Sequence, residues 1–156
     1  MQGIVATDDL PPRIASYVAA SAAATGDWRE AEALLWRAQA VDPDCLHVYY
    51  ILYKFYFRHH RLGDADRTAL LALDAAARQA NIAADWRLLT PDSCDWQQID
   101  SPQHFYLFSL KALAFIRLRQ QNMDDATQML AKLREIDPHD LVGASVIEAY
   151  ADGATV

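Results

Sequence analysis

The run Gly26-Asp27-Trp28-Arg29-Glu30-Ala31, followed by Ala38 and then by Asp42-Pro43-Asp44, decides the fold. Gly26 supplies the left-handed backbone that closes a preceding helix. Asp27 is placed to cap the next one, and Glu30, three residues on, completes an acidic form of the capping box. Ala31 and Ala38 stand seven residues apart, about two helical turns, so they share a face and let a neighbouring backbone approach. Asp42-Pro43 then stops the helix, because proline cannot continue the hydrogen-bond ladder and biases the residue before it away from helical geometry. The segment therefore reads as the turn and second helix of an antiparallel pair.

Working outward, the same order of residues recurs. Gly26, Ala31, Ala38 and Pro43 are spaced by five, seven and five residues; Gln121, Ala126, Leu133 and Pro138 keep that spacing, and Gly63, Thr68, Ala75 and Ala80 form a weaker copy between them. Leu10-Pro11-Pro12 opens a first helix, since proline suits the first turn. An aromatic helix is predicted over residues 45–61, capped by Asp42 or Asp44. In it Tyr49, Tyr53 and Tyr56 share one stripe, and Tyr50, Phe57, Lys54, Arg58 and Arg61 lie toward another. Leu62-Gly63-Asp64 reads as the next turn, with Asp64 capping a fourth helix that Asn81 ends. Ser101-Pro102 starts a fifth helix, Asn122 caps a sixth to about Ile136, and residues 141–151 form a last short helix before Gly153. Residues 82–100 change character: they hold Pro91 and several aspartates, yet also Trp86 and Trp96. An ordered excursion is expected there, with a short helix near residues 91–98, held down by tryptophan burial. No strand is predicted.

Composition bounds the function. With 156 residues, 53% of them apolar and 22% charged, the chain suits one folded, soluble domain. Fourteen Lys and Arg against 21 Asp and Glu leave a formal charge of −7, which argues against duplex nucleic acid and against anionic membranes. Residues 1–9 show no secretory leader, and the longest uncharged stretch, residues 14–26, is too short to span a bilayer. Cys45 and Cys94 form no CxxC pattern, so neither a structural zinc site nor a redox dithiol is expected, and a reducing cytoplasm fits. Eleven arginines against three lysines, with abundant alanine, point to a GC-rich bacterial genome.

The repeated spacing resembles the tetratricopeptide repeat (TPR), whose unit has a turn glycine, small residues on its second helix and a closing proline. The resemblance implies an all-α fold: an α-α superhelix of about three TPR-like helix pairs with an inserted segment and a C-terminal capping helix. Residues 1–156 then form one domain, with repeat 1 at about 11–43, repeat 2 at about 44–81, the insertion at 82–100, repeat 3 at about 101–138 and the capping helix at 141–151. Ala19 and Tyr53 depart from the family pattern, standing where a glycine-like residue is usual. Gln121 replaces the turn glycine, and the second unit's helix reads about two residues too long.

Chemistry is sparse. His59 and His60 are adjacent, about 100° apart on a helix, and cannot share one metal unaided. With Arg58 and Arg61 they complement a helix dipole. Asp42, Asp44, Asp124, Asp125, Asp137 and Asp140 fall at helix starts, where carboxylates satisfy orphan N–H groups. No catalytic residue, metal site or cofactor is assigned, and no enzyme is expected. The family resemblance implies instead a groove lined by the first helix of each pair. Its slots bring Arg13, Ser16, Ala20 and His47 to that face, and its partner-binding residues are Tyr50, Lys54, Phe57, Arg58, Phe108, Lys111, Phe115 and Arg119. An aromatic and basic groove would receive a protein segment with apolar and acidic side chains; the alternative is that Tyr50, Phe57 and Phe108 simply fill the core. The slots used by carboxylate-clamp members hold Ser16, Ala20, Ile51, Phe108 and Ala112, so that clamp is absent. The expected function is thus a cytoplasmic protein-protein interaction module, with a class II-like type III secretion chaperone as the alternative. A third reading, a small regulatory enzyme or ligand-binding domain, would need a closed pocket near Trp86, Trp96 and His104. The alanine-rich first helix, residues 15–24, suits either close packing on the second helix or a homodimer.

Overall fold

The computed structural model describes residues 9–154, so the reading of residues 1–9 as no leader falls outside it apart from Asp9. Its α-helices are α1 (Pro12–Ala23), α2 (Trp28–Val41), α3 (Leu46–Arg58), α4 (Leu62–Ala80), α5 (Pro102–Arg119), α6 (Met123–Ile136) and α7 (Ala144–Ala154). A 3₁₀ turn lies at Trp86–Leu88, and there is no strand among the described residues. The all-α reading holds. No helix among the described residues is long and apolar enough to cross a membrane.

Three helix-to-helix turns are built alike. Gly26, His60 and Gln121 take left-handed backbone at φ 85°, 58° and 66°. The residue after each, Asp27, Arg61 or Asn122, starts the following helix, and its carbonyl accepts from the N–H of Ala31, Ala65 or Ala126 at 3.1, 3.0 and 3.3 Å. Those alanines are buried, as are Ala38, Ala72 and Leu133 seven residues further on, where the helices of each pair meet. Asp27 and Asn122 cap with their side chains, accepting from the N–H of Glu30 and Asp125.

The second pair therefore corrects the sequence-based register by three residues. Leu62, Gly63 and Asp64 are the first turn of α4, and Asp64 is not its cap. The turn is at His60, which donates its N–H to the Phe57 carbonyl (3.1 Å) while Arg61 donates to that of Tyr56 (2.9 Å). This pair of bonds satisfies the last carbonyls of α3 even though a non-glycine residue takes the αL position. Arg61 consequently leaves the α3 stripe assigned to it. It lies over the rings of Trp28 and Tyr56 and pairs with Glu32 (2.9 Å) and Asp64 (2.7 Å).

Other boundaries also move. Neither Asp42 nor Asp44 caps α3: the Asp42 carboxylate accepts from the Asp44 N–H (3.0 Å), closing a local turn, and Cys45 occupies the cap position without a side-chain bond. The helix placed at residues 91–98 is instead the short turn at Trp86–Leu88. Residues 141–143 precede the last helix, with the buried Asp137 carboxylate accepting from Leu141 and Val142 N–H (2.9 and 3.2 Å), and Gly153 lies inside α7.

The core centres on α5, in which the six consecutive residues from Phe105 through Leu110 are all buried. A helix apolar on every side must be packed on every side. It packs most extensively on α4, and also against α6, α7 and α3. On α3 the stripe of Tyr49, Tyr53 and Tyr56 faces inward as expected. Its hydroxyls donate to the Pro43 carbonyl (2.7 Å), lie beside Ser109 Oγ (3.4 Å) and donate to Glu32, respectively. The excursion is fastened by buried Trp86 and Trp96, with Trp96 Nε1 donating to Thr90 O (2.9 Å), Tyr106 Oη to Ala84 O (2.7 Å) and Lys132 Nζ to Leu89 O (2.7 Å). Cys45 and Cys94 are free and half-buried.

Candidate functional site

Helices α1, α3 and α5 contain no Asp or Glu, although the chain has 21. They carry Arg13, Lys54, Arg58, Lys111, Arg117 and Arg119, of which only Arg117 forms an ion pair among the described residues. On α4 and α6 every cation is paired: Arg67 with Asp64, Arg78 with Asp44, Lys132 with Glu135 and Arg134 with Glu148. Arg29 and Arg37 of α2 are also outside any ion pair among the described residues, so what sets α1, α3 and α5 apart is that they carry cations and no carboxylate.

Seven of the eight sequence-assigned residues come together between α3 and α5. Tyr50 meets Phe108 edge-on at 5.6 Å between ring centroids, and Phe57 meets Phe115 at 5.3 Å. Cations overlie these rings: Lys54 Nζ at 5.4 Å from the Tyr50 ring, Lys111 Nζ at 4.7 Å from Phe108 and the Arg119 guanidinium at 5.6 Å from Phe57. This is a ladder of alternating aromatic and positive groups, an arrangement in which each cation is attracted by the ring quadrupole. Arg58 stands apart, turned toward a cleft between α1 and α3.

Two members differ from expectation. Phe108 is 5% exposed and belongs to the core, because α5 is packed on all sides. Lys111 is half-buried, donates to the Val142 carbonyl (2.6 Å) and ties α5 to the segment before α7; burial lowers its pKa, offset in part by Asp140. Tyr50 and Phe57 are half-buried, as is Phe115, while Lys54, Arg58 and Arg119 are exposed. Tyr150 of α7 joins the ladder, edge-on to Phe115 at 5.2 Å and 46% exposed. The sequence marked it only as a capping-helix residue, since nothing in its spacing says which helix α7 lies against.

Of the remaining slots, Arg13, Ser16 and Ala20 are exposed on α1, and His47 is buried against Tyr50 at 5.5 Å. The Nδ1 atoms of His47 and His104 are buried without a hydrogen-bond partner. Burial lowers the pKa of His47. Trp86 borders a surface cleft of about 320 Å³ with Leu70, Leu71 and Asp74, but neither Trp96 nor His104 lines it. No group of three or more His, Cys, Asp or Glu among the described residues is placed to hold a metal ion.

A protein of Azotobacter chroococcum mcd 1, described as an uncharacterized 19.8 kDa protein in nifW 5'region, is 32% identical to the chain over 129 residues, covering 75% of this chain and 67% of the relative. The chain belongs to that protein's family. No family model matches the chain, and no solved structure does. The relative's name gives the position of its gene and no activity.

Proposed function

We propose that the chain is a non-enzymatic protein-interaction module, a TPR-like superhelix of three helix pairs whose α1, α3 and α5 line a concave face for a partner segment. The observation that carries this is the α3–α5 ladder on helices free of carboxylate: Tyr50, Phe57, Phe115 and Tyr150 offer apolar area beside unpaired Lys54 and Arg119. Aromatic groups of this kind anchor interfaces, and unpaired cations steer an oppositely charged partner toward them. The repeated turns at Gly26, His60 and Gln121, each followed by a small residue five positions on, support the repeat reading. The two free thiols suit a reducing cytoplasm.

A library of random 16-residue peptides displayed on phage, panned against the intact chain, tests this. Peptides combining large apolar residues with Asp or Glu are expected on the wild type and are lost on the Lys54→Glu/Arg119→Glu variant, both positions being exposed. Enrichment that is insensitive to these reversals, or no enrichment at all, overturns the reading.

A further inference from the structure

Resting on that reading, we propose that the cleft between α1 and α3 seats a short amphipathic helix of the partner protein, its apolar ridge in the cleft and an acidic side chain against Arg58. The cleft has a volume of about 640 Å³, within the range of built ligand sites. It exists because α1 packs chiefly on α2 and presents small side chains toward α3, with Ser21 and Ala22 where larger residues would close the gap.

One wall has the periodicity of a helix-docking groove. On α3 the lining positions Ile51, Phe55 and Arg58 are spaced by four and three residues, and facing them are Val18, Ser21 and Ala22 of α1, with Thr25 in the turn that follows α1. The α3 wall is therefore about two turns long, roughly 11 Å, the length over which a docked helix presents anchors one turn apart. Ala31 and Leu35 of α2 form an apolar floor.

Charge sets the occupant's polarity. No Asp or Glu lines the cleft, and Arg58, exposed at the α3 end, has no carboxylate partner among the described residues. His59 beside it packs its ring on Phe55 at 4.3 Å. An apolar trough with one unpaired guanidinium at its end matches apolar side chains followed within a turn by a carboxylate, which Arg binds in a bidentate geometry.

The test pans the same phage library against the intact wild type and three variants. Ala22→Phe fills the cleft from an exposed position, Arg58→Glu reverses its charge, and Lys54→Glu/Arg119→Glu alters the ladder alone. Wild-type selection should yield pairs of large apolar residues three or four apart with Asp or Glu a turn away. Ala22→Phe should reduce their enrichment by at least about tenfold, the effect of excluding one large apolar side chain, and Arg58→Glu should abolish the acidic preference. Loss on the ladder variant with none on Ala22→Phe and Arg58→Glu overturns this inference and leaves the wider reading standing; no enrichment on the wild type overturns both. Two other occupants would also overturn it: a second copy, shown by a dimer that Ala22→Phe makes monomeric, or the chain's own start, shown by stronger peptide capture in an Ile4→Asp/Val5→Asp variant.

Discussion

The Arg117 guanidinium of α5 grips the Asp66 carboxylate of α4 through two donors, Nε to Oδ2 and Nη2 to Oδ1 (3.1 Å), in the most extensive helix interface of the molecule. Its remaining nitrogen, Nη1, reaches Asp125 of α6 at 2.9 Å. One side chain thus joins three helices, and hydrogen bonding to Asp66 raises its pKa further. Arg117→Ala leaves Asp66 largely buried without its counter-charge and should cost about 3 kcal/mol, read as a fall in thermal midpoint of roughly 6–12 °C. Arg117→Met combined with Asp66→Leu should recover most of that loss, because burying no charge avoids the desolvation penalty.

Left-handed backbone at His60 and Gln121 carries a steric cost that glycine lacks. Replacing either by glycine should raise stability by about 0.5–1 kcal/mol, the relief of αL strain less the extra entropy of the unfolded chain. Gly26→Ala should lower it by about 1 kcal/mol, since nothing crowds that position and backbone strain alone decides the result. Midpoints of urea unfolding measure all three.

His47 makes stability depend on pH. Unfolded, a histidine titrates near pH 6.5; folded, burial lowers the pKa of this one. Between those values the unfolded chain binds more protons, so acid favours unfolding. The His47 contribution is complete above about pH 6.5 and declines as pH falls through that value toward the lower folded pKa. Thermal midpoints from pH 8 to pH 5 should show a shallower decline in His47→Leu than in the wild type.

Trp96 fastens the excursion over residues 82–100. Trp96→Ala should cost about 3–5 kcal/mol in packing and speed tryptic cleavage at the exposed Arg87. Trp96→Phe, which keeps the ring but loses the bond to Thr90, should fall between Ala and wild type. Timed digestion followed by mass analysis separates the three.

How far the sequence could be read follows from where its signals are local. Asp27 and Ser101 were legible as caps because a cap bonds within three residues of itself, and both do so. The tyrosine stripe of α3 was legible because helical period alone places Tyr49, Tyr53 and Tyr56 together. The second turn was misplaced because glycine is the usual αL residue and Gly63 lay close by, whereas histidine at position 60 takes that backbone here. Tyr50 lies against Phe108 and Phe57 against Phe115, but which of them reaches solvent depends on how many helices enclose α5. That is tertiary information with no period of its own. For the same reason neither the cleft beside Arg58 nor Tyr150 at the end of the ladder had a sequence signature.

Residues 82–100 bear on how the chain assembles. The α1–α2, α3–α4 and α5–α6 pairs join neighbours in sequence across short turns, a topology that favours rapid formation. The tightest partnership, α4 with α5, lies across the longest connection, and closing a loop of that length costs about 2.7 kcal/mol in chain entropy before any contact is made. Two halves can therefore gather early while their union waits on that closure. Packing that Trp86 and Trp96 add only after that closure would slow the parting of the halves more than it hastens their meeting, and so lengthen the life of the folded chain.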